Sequence, residues 1–248
     1  MLRRLRLPRL LLPLLLSVPG ILVGAPAQAT FSVSPNASQG DFEAFNRRFS
    51  SDAYFYPRHS AAPLGLLGFE VYADATYEDK FDDQSFNQTA VDGSYTGGFL
   101  SIARVGVRKG LPGGFDLGVS YGKTLNGDLK MVSAELQYAI LHGGLLEPAL
   151  SVRLTGTRTV NVTAYDLNQY GADVLLSKGF TVLTPYIGAG FVRGKGRLDR
   201  GALPSFDDTE THAVAFAGVT LNLLLPKINF EVEKGEAVQA AVRVGFGF

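Results

Sequence analysis

From Leu66 to Phe248 apolar residues recur at every second position, and that regularity restricts the stretch to β-sheet. The final strand is the cleanest case. Phe248, Phe246, Val244, Val242 and Ala240 share one face, while Gly247, Gly245, Arg243, Ala241 and Gln239 share the other. The first strand, Leu66 to Glu78, repeats the pattern. Leu67, Phe69, Val71, Ala73, Ala75 and Tyr77 oppose Gly68, Glu70, Tyr72, Asp74, Thr76 and Glu78.

Ten such segments follow one another: 66–78, 98–109, 115–124, 129–140, 146–157, 165–177, 182–193, 210–223, 227–233 and 238–248. Asn126-Gly127 marks a tight hairpin between the third and fourth. Connections after strands two, four, six and eight are short. Long polar loops are expected at Asp79–Gly97 and Gly194–Asp208, on the opposite side. Leu100 and Ile102 interrupt the polar face of the second strand. The ninth segment is short, so merging strands into a count of eight is the alternative.

The two faces differ in charge. Glu70, Asp74, Arg104, Arg108, Asp116, Glu135, Glu147, Arg153, Asp173, Glu231, Glu233 and Arg243 fall on one of them, and both signs are present. The other face is nearly free of charge. Arg and Glu are costly in hydrocarbon and tolerable beside an opposite charge. The arrangement expected is therefore an apolar face toward lipid and an ionic face enclosed. Only helices and closed sheets satisfy every backbone group in lipid. No apolar run after the leader reaches the roughly 20 residues of a spanning helix. The fold expected is an all-β, transmembrane, antiparallel up-and-down barrel over 65–248. The alternative of a soluble barrel with an apolar interior puts the same charges outside.

The ends carry a resemblance. Arg3, Arg4, Arg6 and Arg9 precede an apolar run to Val23, and Ala27-Gln28-Ala29 is a small-x-small cleavage site, so 1–29 reads as a secretory leader cut before Thr30. The alternating strand that finishes on Phe246 and Phe248 resembles the terminal strand of bacterial outer-membrane β-barrel proteins. That resemblance implies an outer-membrane location, a transient barrel-assembly partner reading Phe246 and Phe248, and outer-membrane lipid as surroundings. Both chain ends are then expected on the periplasmic side. Residues 30–64 are read as a periplasmic N-terminal segment. A short helix over Asp41–Phe49 sets Phe42, Phe45 and Phe49 at helical spacing, at the barrel mouth or tucked into it.

Charge and composition exclude several roles. The chain holds 23 basic and 23 acidic residues; without the leader, 19 basic remain against 23 acidic. An acidic protein is a poor nucleic-acid ligand. There is no cysteine, hence no disulfide and no thiolate metal site. No cofactor or metal motif is present, and oligomeric state stays open.

Candidates for catalysis lie among the expected rim residues. Some ten-stranded outer-membrane barrels are proteases with acidic pairs and a His there. Asp82, Asp83, Asp207, Asp208 and His212 are a loose match, and Ser205 with His212 is a loose esterase pair. None has a supporting local spacing, so these read as solvated loop residues; His59 and His142 read as surface residues. The reading is non-enzymatic: a structural or surface-interaction barrel acting through its outer loops, with a narrow, weakly cation-leaning channel as the alternative and a rim hydrolase as the third.

Overall fold

A computed structural model describes residues 29–30, 37–56, 58–79, 99–125, 129–144, 146–223 and 225–248. The leader up to residue 28, most of the loop with Asp82 and Asp83, and the Asn126-Gly127 turn lie outside the described residues.

Ten strands close into one antiparallel barrel. They are β1 Phe69–Asp79, β2 Phe99–Gly110, β3 Phe115–Thr124, β4 Lys130–His142, β5 Ala149–Thr159, β6 Tyr165–Ser177, β7 Leu183–Arg200, β8 Leu203–Asn222, β9 Pro226–Lys234 and β10 Val238–Gly247. Neighbours in sequence are neighbours in the sheet. β10 pairs with β1 to complete the ring, for example Arg243 with Asp74. Closure leaves the sheet no open edge.

The alternation sets the inside and the outside. Val71, Val105, Leu117, Val132, Leu154, Val174, Ile187, Phe230 and Val244 point outward and are exposed, whereas Glu70, Arg104, Glu135, Arg153 and Arg243 are buried inside. Phe246 and Phe248 are also exposed on the outer wall, and the Phe248 and Phe69 backbones exchange N–H···O bonds across the closure. The soluble-barrel alternative, with an apolar interior and outward arginines, does not match this polarity.

The expected loop at Gly194–Asp208 is instead strand. β7 runs to Arg200 and β8 starts at Leu203, so only Gly201 and Ala202 connect them. The alternation persists through the charges: Arg193, Lys195 and Arg197 face out while Gly194, Gly196 and Leu198 face in. These inward residues have something to cover. Helix α1, Gln39–Asp52, lies against β7 and β8.

α1 begins with a reciprocal cap. Ser38 Oγ accepts from the Asp41 N–H at 3.2 Å, and Asp41 Oδ2 accepts from the Ser38 N–H at 2.9 Å. Phe42, Phe45 and Phe49 share one helical face and are fully buried against Leu100, Ile102, Leu129, Met131, Tyr165, Leu167 and Leu198. Each Phe removed from water contributes about 1.5–3 kcal/mol. Leu100 and Ile102, which interrupt the polar face of the second strand, are thus the helix's seat.

After α1 the chain runs on through the barrel. Gln39 donates to the Asp207 carbonyl, near the β7–β8 connection. Tyr54 and Arg58 meet mid-strand residues. The Leu64 N–H reaches Asp116, near the β2–β3 turn. The described N-terminal residues therefore sit at the end bearing the β1–β2 and β7–β8 connections, opposite Phe248. This differs from the expectation that both ends share one side. Residues 29–30 pair in parallel with Val162–Thr163 between β5 and β6, at the same loop end.

Candidate functional site

Residues 37–56 and 58–64 occupy the lumen, and the ionic groups of the strands are arranged around them. Arg58, fully buried, lies between two walls: Nη1 is 2.5 Å from Asp74 Oδ1 on β1, and Nε is 2.6 Å from Glu233 Oε1 on β9. Arg104 donates to the Ala53 carbonyl at 3.2 Å and stands 3.7 Å from Asp74. Arg153 donates to the Phe55 carbonyl at 2.5 Å and to Asp173 Oδ2 at 2.8 Å. The Tyr54 hydroxyl donates to that same Asp173 oxygen at 2.5 Å.

Nearer the turn end a second network forms. Arg108 pairs with Asp116 at 3.0 Å and with Glu135 at 3.0 Å, and Arg243 pairs with Glu70 at 3.0 Å. His59 Nε2 lies 3.3 Å from Glu135 Oε2. His59 is thus a buried lumen residue and not the surface residue its isolation in the sequence suggested. Its neighbours are a carboxylate and the arginines that carboxylate already pairs with. A cavity of about 180 Å³ remains at this end, lined by His59, Glu70, Arg108 and Phe248.

The structure brings together Glu70, Asp74, Arg104, Arg108, Asp116, Glu135, Arg153, Asp173, Glu231 and Arg243 in the lumen wall, each nearly or wholly buried. Glu147 is not among them. It is exposed in the turn before Ala149, because β5 starts later than the alternation alone suggested. Arg58, Tyr54, Asp52 and Arg48 belong to the site and carry no periodic signal. What marks them in the sequence is their place in the last turns of an amphipathic helix or just after it, within reach of a charged wall.

At the loop end α1 is fastened by polar contacts. Asn46 Nδ2 donates to Asp208 Oδ2 at 2.7 Å, Arg47 Nε to Glu210 at 3.2 Å, and Arg48 contacts Glu78 as well as Asp52. Gln169 donates to the Ser50 carbonyl. The carboxyl of Asp52 is pushed up to about 7, chiefly by its complete burial.

His212 does not gather Asp207, Asp208 or Ser205. Its Nε2 is 3.0 Å from Ser50 Oγ, and its Nδ1 is 3.1 Å from Glu236 Oε1. Hydroxyl, imidazole and carboxylate in that order is the pattern of serine hydrolases. Such chemistry needs a substrate at the hydroxyl. Ser50 is fully buried, its Oγ also lies 3.3 Å from the Arg47 carbonyl, and Gly194 passes so close that an added Cβ would be 2.7 Å from the Ser50 Cβ. The clefts on the outer wall and at the turn end are lined by other residues. The trio ties α1 to β8 and to the β9–β10 turn, and the Glu236 N–H donating to Ser51 Oγ at 2.8 Å strengthens that tie.

No group of His, Asp and Glu suited to a metal occurs among the described residues. No protein-family model and no curated protein matches the chain by sequence. Solved barrels resemble it distantly. The KdgM porin is 9% identical at a TM-score of 0.40, over 72% of this chain and 99% of that one. The N-terminal barrel domain of Pseudomonas aeruginosa OprF is 15% identical at 0.33, over 74% and 99%. Ail, the attachment invasion locus protein of Yersinia pestis, is 11% identical at 0.31, over 73% and 97%. At such scores the likenesses add nothing about activity, and the assignment rests on topology and polarity. A closed, even-stranded antiparallel barrel with ions enclosed and apolar side chains outward has the architecture of the bacterial outer-membrane β-barrels.

Proposed function

We propose that the protein is a self-plugged outer-membrane barrel that works at its loop end, as a surface or structural protein without catalytic activity. The carrying observation is the course of 37–56 and 58–64, which threads the lumen and engages its wall through the Arg58 charge, the Tyr54 hydroxyl and the backbone carbonyls that Arg104 and Arg153 reach. A barrel of about eight strands is just filled by side chains, and here ten strands enclose a helix and an extended segment. The resting state is closed to solutes, and the narrow channel exists only if that segment leaves.

With short turns on the periplasmic side, the opposite end faces outward. The lumen segment then starts at the cell surface, and the β7–β8 hairpin stands beside it. The chain has no native cysteine, which allows a direct test. Ser38→Cys at the loop end and Leu146→Cys at the turn end are both at exposed positions. In intact cells a membrane-impermeant maleimide is expected to label the first and spare the second. Labelling of the second alone reverses the orientation and ends the surface role. Heat-modifiable migration of the outer-membrane fraction checks location, and an unshifted band there counts against a folded barrel in that membrane.

A further inference from the structure

The outer wall is not uniform. Across β2 to β6 it carries an open apolar groove of about 900 Å³, whose floor includes Val107, Val119, Ala134 and Gly156. A second, polar cleft of about 630 Å³ lies directly toward the loop end, lined by Arg158, Arg197, Asp166 and Asp199. The two share Val132 and Arg158, so they form one continuous depression, greasy below and ionic above.

Register shows what charge surrounds the ionic half. Arg158 is opposite Asn168, which is opposite Lys195. Asp166 is opposite Arg197, and Tyr170 is opposite Arg193. All point outward. Arg158 and Lys195 are two strand spacings apart, about 10 Å. Arg193, Lys195 and Arg197 follow one another on the outward face of β7, just past the apolar belt that ends at Phe191. The acids on this patch are Asp166, 3.9 Å from Arg158 with both side chains largely exposed, Asp199, and Asp207, which is opposite Arg197 on β8 and faces outward. Arg158, Arg193, Lys195 and Arg197 therefore exceed Asp166, Asp199 and Asp207 by one where the wall changes from apolar to polar.

We propose that this depression binds a phosphorylated, multiply acylated glycolipid of the outer leaflet. Its acyl chains lie along the groove over Ala134 and Gly156, and its phosphate is held by Arg158 and Arg197, with Lys195 beside them. Guanidinium groups bind phosphate through paired charge-assisted hydrogen bonds. A lone acyl chain is held weakly, and a charged head combined with several chains is the pairing that gives lasting association. The site rests on the outer-membrane reading, because the loop end must face that leaflet.

The test uses full-length folded protein in detergent and native mass spectrometry with three probes: bis-phosphorylated hexa-acyl lipid A, the same lipid with both phosphates removed, and phosphatidylglycerol. Retention of the first is expected to exceed that of the other two by at least about tenfold. Arg158→Gln with Arg197→Gln is expected to lower lipid A retention about tenfold. Arg158 is 65% exposed, so the change leaves the fold intact. Gly156→Leu tests the greasy half independently. A Cβ there meets nothing closer than 3.8 Å, so the new side chain projects into the groove and is expected to displace acyl chains with the arginines untouched. Equal retention by wild type and both variants overturns the site, as does equal retention of phosphatidylglycerol or of the dephosphorylated lipid. Heat-modifiable migration of the same samples reports the barrel separately. A folded barrel that fails to discriminate among the lipids sinks only the lipid site, whereas absence of a heat-shifted band sinks the outer-membrane reading beneath it.

Discussion

Arg58 Nε lies 2.6 Å from Glu233 Oε1, which ties the lumen segment to β9, while its Nη1 ties the same residue to Asp74 on β1. One side chain thus spans two strands separated in the ring by β10. Removing one partner of a buried ion pair leaves the others uncompensated and costs about 3–5 kcal/mol. Arg58→Met keeps much of the stem and deletes the charge. The variant is expected to show intermittent conductance steps in planar bilayers far more often than the intact protein does. Current is expected to favour cations, because Asp74 and Glu233 would line any opening. Silent traces from a folded Arg58→Met protein argue that this anchor does not hold the segment.

The helix has its own hold on the wall. The Phe45 ring stacks on Phe49 with centroids 5.5 Å apart and meets Tyr165 edge-on at 4.9 Å. Phe45→Ala is expected to destabilise the docked helix by about 3–5 kcal/mol. The strands keep their pairing, so heat-modifiable migration should persist while protease cuts within 37–64 appear. Loss of the heat shift itself means that helix and barrel fold as one unit.

Ser50, His212 and Glu236 make a sharper prediction because two roles diverge. If the trio fastens α1, Ser50→Ala and His212→Gln should each raise protease sensitivity of 37–64, the second more, since it removes the contact to Glu236 as well. Neither should alter hydrolysis of short-chain nitrophenyl esters above background. Ester cleavage abolished by both substitutions establishes a hydrolase and overturns the non-catalytic reading.

Much of the barrel was legible because its signal is local. Outward Val, Leu and Phe against inward Arg, Glu and Asp repeat within each strand, and Asp74 or Arg153 needs no partner in view to be placed on the ionic face. The lumen segment was not legible for the opposite reason. Its meaning is in contacts between residues far apart in sequence, such as Arg58 with Glu233 or Tyr54 with Asp173. Clues were present even so. Leu100, Ile102, Met131, Leu167 and Leu198 are apolar residues on an otherwise polar face, all at the loop end, and Phe42, Phe45 and Phe49 form the matching stripe. The error at Gly194–Asp208 has a related cause. Polar composition suggested a loop, while the alternation of Gly194, Gly196 and Leu198 with Arg193, Lys195 and Arg197 still marked a strand that a helix covers from inside. Glu147 erred by register: alternation names a face only where the strand has begun, and β5 begins at Ala149.

Asp52 makes the closure sensitive to pH. It lies at the end of α1, outside the strands, with Arg48 Nε 3.5 Å away and the acids Glu233 and Glu236 acting against its charge. Burial raises its carboxyl to about 7, whereas a released, hydrated Asp titrates near 3.9. A carboxyl raised on docking binds its proton more tightly in the docked state, so the stability it contributes is complete below about pH 4 and is lost as pH rises through about 7. Openings in planar bilayers should therefore be more frequent at pH 8 than at pH 5, with little further change above. Asp52→Asn keeps the shape and removes the titration. Its opening frequency should vary less between those two values than the wild type's, measured in the same buffers so that direct effects of pH cancel. An equal slope in both proteins assigns the response to another group and leaves Asp52 a structural residue.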